Sequence, residues 1–251
     1  MSQPDFKILD EQIRSADRAT AKNAEAILRQ LADARIFKAA EILSTAYSDG
    51  FQNIPANYED ACRYSEISAE AGGDDDAGFH RYWLAELQYR HGDYSAAMRN
   101  ARMAHDAGQG SASAVLLAQM LLPGLGCNPS IEEGLSILEE NTHSSSVSSL
   151  LARIYIEGKF VPKDTAKALK YIQSISDNEL SILSHTNSGM LGQILFIKGT
   201  IVRDVNNGNK SEEWMPLLKK SAALGNEEAK KALASRPEIT NQSSSRETLQ
   251  K

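Results

Sequence analysis

Apolar positions along the chain follow the period of an amphipathic α-helix through most of its length. From Val147 they recur at Leu150, Leu151, Ile154 and Tyr155, spacings that place them on one helical face. A face of this kind must be buried against another element. The pattern therefore predicts a helix that begins near Val147 and packs on a neighbour.

Turn residues follow this helix at the positions where a hairpin needs them. Gly158 can adopt the left-handed conformation that ends a helix, and Pro162 favours a turn. Asp164 or Thr165 then caps a second helix in which the small Ala168 permits close helix packing. The segment from Val147 to Gln173 is thus predicted to be a helical hairpin.

The same hairpin pattern recurs along the chain. Ala24, Ala61, Ala97, Gly134 and Ala168 are spaced by 37, 36, 37 and 34 residues. A fixed period of this size is typical of a solenoid, in which each unit covers the apolar face of the next. The unit after Ala77 has a shorter turn between its helices. The first repeat is predicted to begin with a helix from Asp5 to Thr20. The last repeat is predicted to be irregular around a polar loop at 206–209.

The spacing of these residues resembles the Sel1-like repeat, a relative of the tetratricopeptide repeat. The residues that carry the resemblance are Tyr155, Gly158, Val161, Asp164, Ala168 and Tyr171, with a second match from Tyr47 to Gly72. The resemblance implies an all-α fold, an α/α solenoid forming a right-handed superhelix of about five to six repeats including caps. We expect one solenoid domain over residues 1–234 and a disordered tail over 235–251. The resemblance also implies an adaptor or scaffold without catalytic residues.

Composition restricts the partner. The chain has a net charge of -6 and no long basic run, which argues against nucleic acid because phosphate binding needs clustered lysine and arginine. No segment is apolar enough to be a secretory signal or to span a membrane, so a cytoplasmic location without membrane insertion is expected. Cys62 and Cys127 lack metal-type spacing and are expected to be small packing residues.

Groups that could carry chemistry do not converge in the sequence. The five histidines lack the spacing of a helical metal site, and Asp74 to Asp76 lack the ligand pattern of a calcium loop. Serines between 144 and 149 are either phosphorylation sites or capping residues at a helix start. We therefore predict no catalytic, metal or cofactor site.

The helix after Ala77 carries the strongest candidates for binding. Its spacing predicts a buried stripe of Phe79, Trp83, Leu84 and Leu87, with a second face that carries the candidate partner-binding residues Tyr82, Glu86, Tyr89 and Arg90. The alternative is that these tyrosines only pack between repeats. Weaker candidates on the first helices of other repeats are Arg35, Lys38, Glu41 and Arg153.

We accordingly expect a non-enzymatic scaffold or adaptor that binds and regulates a protein partner whose identity the sequence does not give. The alternative function is an accessory regulator of an envelope polysaccharide or other biosynthetic enzyme, or a glycan-binding solenoid.

Overall fold

The structure, a computed structural model, describes residues 4–72 and 74–235, and of residues 74–77 it describes only the backbone. Within these ranges the chain forms fourteen α-helices and no β-sheet. It divides into two compact units, Met1–Val147 and Ser148–Lys251. The first unit contains α1 (Phe6–Ile13), α2 (Arg18–Asp33), α3 (Phe37–Asp49), α4 (Tyr58–Ala71), α5 (Asp74–Arg90), α6 (Tyr94–Asp106), α7 (Gly110–Leu121) and α8 (Ile131–Glu139).

The second unit takes up α9, which starts at the last residues of the first unit, and continues to the end of the described chain. Its helices are α9 (Ser145–Glu157), α10 (Thr165–Gln173), α11 (Asp177–Thr186), α12 (Ser188–Val205), α13 (Ser211–Ala223) and α14 (Glu227–Ala234). The helix α11 was not predicted from the sequence pattern. The predicted tail lies outside the described residues except for Ser235.

Most helices pack on their neighbours in the chain, and α10 packs on α12. In the first unit, α3 packs on α4, α5 on α6 and α7 on α8, and in the second unit α12 packs on α13. Successive hairpins of this kind are the α/α solenoid class, so the predicted all-α solenoid is confirmed.

One backbone hydrogen bond recurs in three of the hairpins. The N–H of the residue before the second helix donates to a carbonyl near the end of the first helix, over 2.9 Å in each case: Asn57 to Tyr47, Ser130 to Leu121, and Asp164 to Tyr155. The hairpin of α5 and α6 has a shorter connection, in which the Asp93 N–H donates to Gln88 over 2.9 Å. Loop length therefore separates this hairpin from the other three.

The turn between α9 and α10 matches its prediction. Gly158 has a φ of 66°, and a Cβ at this position would lie 2.9 Å from the Cβ of Lys163, so only glycine fits without strain. Asp164 caps α10 by accepting a hydrogen bond from the Lys167 N–H over 2.9 Å.

The small residues at the repeat positions are buried as predicted. Ala24, Ala61, Ala97 and Ala168 have no exposed surface. A Cβ on Gly134 would lie 3.3 Å from a methyl carbon of Leu122, so the glycine allows α8 to approach the end of α7 closely. The small residues that recur in the sequence therefore mark the positions where helices pack closely.

The predicted helix from Asp5 to Thr20 is wrong in its length. The helix α1 ends at Ile13, and Asp17 starts α2 by accepting a hydrogen bond from the Thr20 N–H over 2.7 Å. Aspartate stabilises a helix start more than a helix interior. The capping aspartate therefore divides the segment in two.

Candidate protein-interaction surface

The helix α5 is held on two sides by buried clusters of the first unit. Leu87 is 3% exposed and belongs to a core formed with residues of α1 to α4. Ala85, with no exposed surface, belongs to a second core with residues of α6 and α7. Because both flanks of α5 are covered, only a narrow face of the helix reaches solvent.

That face differs from the prediction. Phe79 and Trp83, expected to be buried, have 44% and 49% of their surface exposed, whereas Leu84 and Leu87 are buried as expected. Glu86 is half-buried and Arg90 is exposed. The spacing of four, three and four residues puts Phe79, Trp83, Glu86 and Arg90 on one helical face. We call these four residues the α5 surface.

Phe79 and Trp83 were not predicted as surface residues, because large aromatic residues at helical spacing are typical of a core. The two core clusters cover other sides of α5 and leave the side that carries Phe79 and Trp83 open to solvent. The usable signal was the repeated four and three spacing that connects both aromatics with Glu86 and Arg90. That spacing identifies a shared face but does not show which face is covered.

The aromatic rings of this region touch one another edge to face. The ring centroids of Phe79 and Trp83 are 5.9 Å apart at an interplanar angle of 76°, and those of Tyr82 and Trp83 are 5.7 Å apart at 63°. Edge-to-face ring pairs of this kind contribute about 0.5–1.5 kcal/mol beyond the area they bury. The exposed Trp83 ring is therefore supported on two sides.

Tyr82 and Tyr89 are half-buried and pack against the core cluster that includes Ala85. Burial raises the pKa of both phenols, and the charge of Glu86 contributes in the same direction. Their hydroxyls are therefore neutral at physiological pH. These two tyrosines lie beside the α5 surface. Their contacts with the core cluster are those expected under the alternative that the tyrosines pack between repeats.

His80 lies beneath the aromatic end of the surface. It is buried, with Nδ1 3.2 Å from the Ser68 hydroxyl oxygen. Its ring contacts Phe37 and Phe79 edge to face, at centroid distances of 4.9 and 5.3 Å. Phe79 thus stands on a buried support that connects α5 to α3 and α4.

The charged end of the surface is weakly paired. The Nε of Arg90 is 4.0 Å from a carboxylate oxygen of Glu86, and 53% of the Arg90 side chain is exposed. An exposed pair at this distance contributes little to stability. Both groups therefore remain accessible for hydrogen bonds with a bound molecule.

The weaker candidates are engaged in surface ion pairs. Arg35 pairs with Glu70 and lines a charged cavity of about 360 Å³ between α2 and α4. Lys38 pairs with Glu41 over 2.5 Å. Arg153, on α9 in the second unit, pairs with Glu157 over 3.0 Å. The structure gathers Tyr82, Glu86, Tyr89 and Arg90 on one helix, while these three basic residues belong to other helices or loops.

The other sequence features add no site. Among residues 4–72 and 78–235, no three histidine, cysteine, aspartate or glutamate side chains are arranged to hold a metal ion, and the side chains of Asp74 to Asp76 are outside these ranges. Cys62 and Cys127 are free thiols. Ser148 and Ser149 are buried at the start of α9. No helix in the described part of the chain has the length and apolar character needed to cross a membrane.

Comparison with known families identifies three segments of the chain. Residues 38–73, 111–140 and 149–179 match the Sel1 repeat. These segments contain the three hairpins that share the recurring backbone hydrogen bond. The chain therefore contains three Sel1 repeats. The hairpin of α5 and α6, which carries the α5 surface, lies between the first two matched segments and outside both.

Solved structures of Sel1-repeat proteins share this fold. A Sel1 repeat protein from Oxalobacter formigenes has a TM-score of 0.57 and 18% identity over 85% of this chain and 60% of its own. The protective antigen c5321 of uropathogenic Escherichia coli, which displays an SLR fold, has a TM-score of 0.52 and 20% identity over 85% of this chain and 46% of its own. This chain therefore spans about half of each structure's length. No curated protein matches the chain.

Proposed function

We propose that this Sel1-repeat protein is a non-enzymatic scaffold that binds and regulates a protein partner through the α5 surface. Sel1 repeats generally mediate protein–protein interaction, and Sel1 solenoids are typically non-enzymatic scaffolds. The observation that supports this particular surface is the exposure of Trp83 beside Phe79 on a helix fixed from both flanks. Tryptophan, tyrosine and arginine are the residue types that most often dominate binding energy.

The rigidity of the site supports the same proposal. The Phe79 and Trp83 rings contact each other, and Phe79 also rests on the buried His80. Side chains already fixed before binding lose less entropy when a partner docks. Glu86 and Arg90 then offer an acceptor and a donor at the charged end, which fixes the orientation of a bound segment.

The other candidate residues have supporting or separate roles in this proposal. Tyr82 and Tyr89 border the α5 surface and support it. Arg35, Lys38 and Arg153 remain predictions for contacts elsewhere on the chain. The cytoplasmic location and the single solenoid domain over residues 1–234 also stay predictions.

A capture experiment with a matched control tests the proposal. The tagged full-length chain, a Phe79→Ala/Trp83→Ala variant and a Met103→Ala variant are used to capture proteins from the native cells. Met103 is the control because it lies on α6 of the same hairpin and is 48% exposed. We expect one partner to bind the unchanged chain and Met103→Ala, and to bind the double variant at least about 30-fold more weakly, the effect of losing a binding hot spot of about 2 kcal/mol.

The purified partner is then titrated with each of the three chains, and its affinity for each is measured. Equal affinity for all three chains would overturn the assignment of the α5 surface. Stabilisation by an oligosaccharide with no protein retained would favour the glycan-binding alternative. Circular dichroism and melting of the double variant must match those of the unchanged chain, so that lost binding is not lost folding.

A further inference from the structure

The second unit contains the one Asn-Gly pair of the chain, Asn207 and Gly208. It lies where α12 has ended and before α13 begins, and both residues are exposed. Their φ angles are 50° and 79°, so both adopt the left-handed conformation. The proposed binding function does not use this turn.

The side-chain amide of Asn207 is not held in place. Its neighbour Asn206 donates a hydrogen bond to a Glu213 carboxylate oxygen over 2.9 Å, whereas the Asn207 side chain makes none with the described residues. The Asn207 carboxamide can therefore rotate toward the following peptide nitrogen. Because Gly208 has no Cβ, nothing on the next residue obstructs that approach.

We propose that Asn207 is a site of spontaneous deamidation. The backbone nitrogen of Gly208, after giving its proton to hydroxide, attacks Cγ of Asn207 and forms a new C–N bond. The bond from Cγ to the side-chain nitrogen breaks, and that nitrogen leaves as ammonia after taking a proton from water. Water then opens the resulting cyclic imide at either carbonyl, which leaves aspartate or isoaspartate at position 207.

The native turn slows this reaction. The Gly208 N–H donates to the Arg203 carbonyl over 2.8 Å, and the Asn207 N–H donates to the Asp204 carbonyl over 3.1 Å. The attacking nitrogen becomes available only when the end of α12 opens. A backbone hydrogen bond of ordinary net strength slows the reaction by about 2- to 10-fold relative to the unfolded chain.

The product changes the surroundings of this turn. It adds a negative charge at the carboxyl end of α12, where the helix dipole disfavours anions. Isoaspartate also lengthens the main chain by one carbon, which displaces Gly208 N from the Arg203 carbonyl. The next residues hold α13 in place, since Asn209 accepts a hydrogen bond from Trp214 Nε1 over 3.1 Å. Conversion therefore loosens the connection between α12 and α13.

Peptide mass spectrometry of the full-length chain tests the proposal. The chain is kept in mildly alkaline buffer, with and without urea, and conversion of Asn207 is followed over time. Asn209 is the internal control because it lies exposed in the same turn but precedes Lys210. We expect Asn207 to yield two chromatographically distinct acidic products, several-fold faster than Asn209, and about 2- to 10-fold more slowly without urea.

Three results would each contradict the inference. If Asn207 converts no faster than Asn209 in urea, the site does not deamidate by this route. If the rates with and without urea agree, the native turn does not limit the reaction. A Gly208→Ala variant measured in urea, where the left-handed φ no longer matters, should react several-fold more slowly, and an unchanged rate would contradict the role of Gly208.

Discussion

Two adjacent hairpins of the first unit use their aromatic residues in opposite ways. In the hairpin of α3 and α4, Tyr47 and Tyr64 are 3% and 0% exposed, and their rings stack at 5.9 Å with an interplanar angle of 17°. In the hairpin of α5 and α6, Phe79 and Trp83 lie edge to face and remain about half exposed. The first pair contributes to the core, while the second forms a surface.

The buried pair is surrounded by polar groups of the preceding helix α2. Arg29 donates to the Tyr47 hydroxyl oxygen over 2.9 Å and to Asp60 over 3.0 Å, and Tyr47 donates in turn to Glu25. The hydroxyl of Tyr64 is buried without a hydrogen-bond partner among the described residues. A matched Sel1 repeat therefore uses its tyrosines to attach one hairpin to the next.

The second unit contains a similar stacked pair in another matched segment, with Tyr155 buried and Tyr171 half-buried. Tyr155 and Tyr171 stack at 5.9 Å and 15°, and the Lys167 ammonium donates to the Tyr155 hydroxyl oxygen over 3.2 Å. The partner of the hydroxyl has changed, but the stacking has not. Stacked tyrosines thus occur in two of the three matched segments, whereas the exposed Phe79 and Trp83 lie outside all three.

The largest expected effect is on the buried pair. Replacing Tyr47 by alanine removes a buried ring and its two hydrogen bonds, so we expect the free energy of unfolding to fall by about 3–5 kcal/mol. Urea denaturation followed by circular dichroism measures this change. A loss similar to that of a surface substitution would contradict the assignment of Tyr47 to the core.

The second largest effect is the loss of the stabilising contribution of Glu25 at low pH. Burial by itself would raise the pKa of this carboxyl group, but hydrogen bonds from Lys22 and Tyr47 lower it below its ordinary value of 4.5. Because the folded pKa is the lower one, the contribution of Glu25 is present above pH 4.5 and is lost as the pH falls through the folded value.

A Glu25→Gln variant isolates that contribution. We expect it to lose about 1–3 kcal/mol of stability at neutral pH and to show a shallower decline below pH 4.5 than the unchanged chain. Denaturation curves collected across this pH range test the difference. Parallel pH profiles for the two chains would show that Glu25 does not titrate differently on folding.

A third change separates the two tyrosines of the stacked pair. Removing the unpartnered hydroxyl in Tyr64→Phe should leave stability unchanged or raise it by up to about 1 kcal/mol, because a buried polar group no longer loses its hydration. Tyr47→Phe should be destabilising by comparison. Thermal melts of both variants give the sign, and destabilisation by Tyr64→Phe would show that its hydroxyl is hydrogen-bonded in solution.

The smallest expected effect on stability is that of the exposed ring. A Trp83→Ala variant should lose less than about 1 kcal/mol, since half of the side chain already faces solvent. The same denaturation assay compares it directly with Tyr47→Ala. If both variants lost several kcal/mol, Trp83 would be a core residue and the contrast between the hairpins would fail.

The sequence by itself determined the repeat, most of its helices and the turn between α9 and α10. Small residues at a fixed period require close helix contacts, and Gly158 and Asp164 have conformational preferences that act locally. These are short-range properties of a residue and its neighbours along the chain. The all-α solenoid could be predicted for that reason, and so could the placement of Tyr82, Glu86, Tyr89 and Arg90 on one helix.

Only the tertiary structure decided which face of α5 is covered. A helical period shows that Phe79 and Trp83 share a face with Glu86 and Arg90, but burial depends on where α4, α6 and α7 lie. The hydrogen-bond partners of Arg29 could not be predicted from the sequence either, because Tyr47 and Asp60 belong to other helices. Contacts between distant segments depend on how complete helices pack, and this packing left Phe79 and Trp83 of the predicted buried stripe exposed.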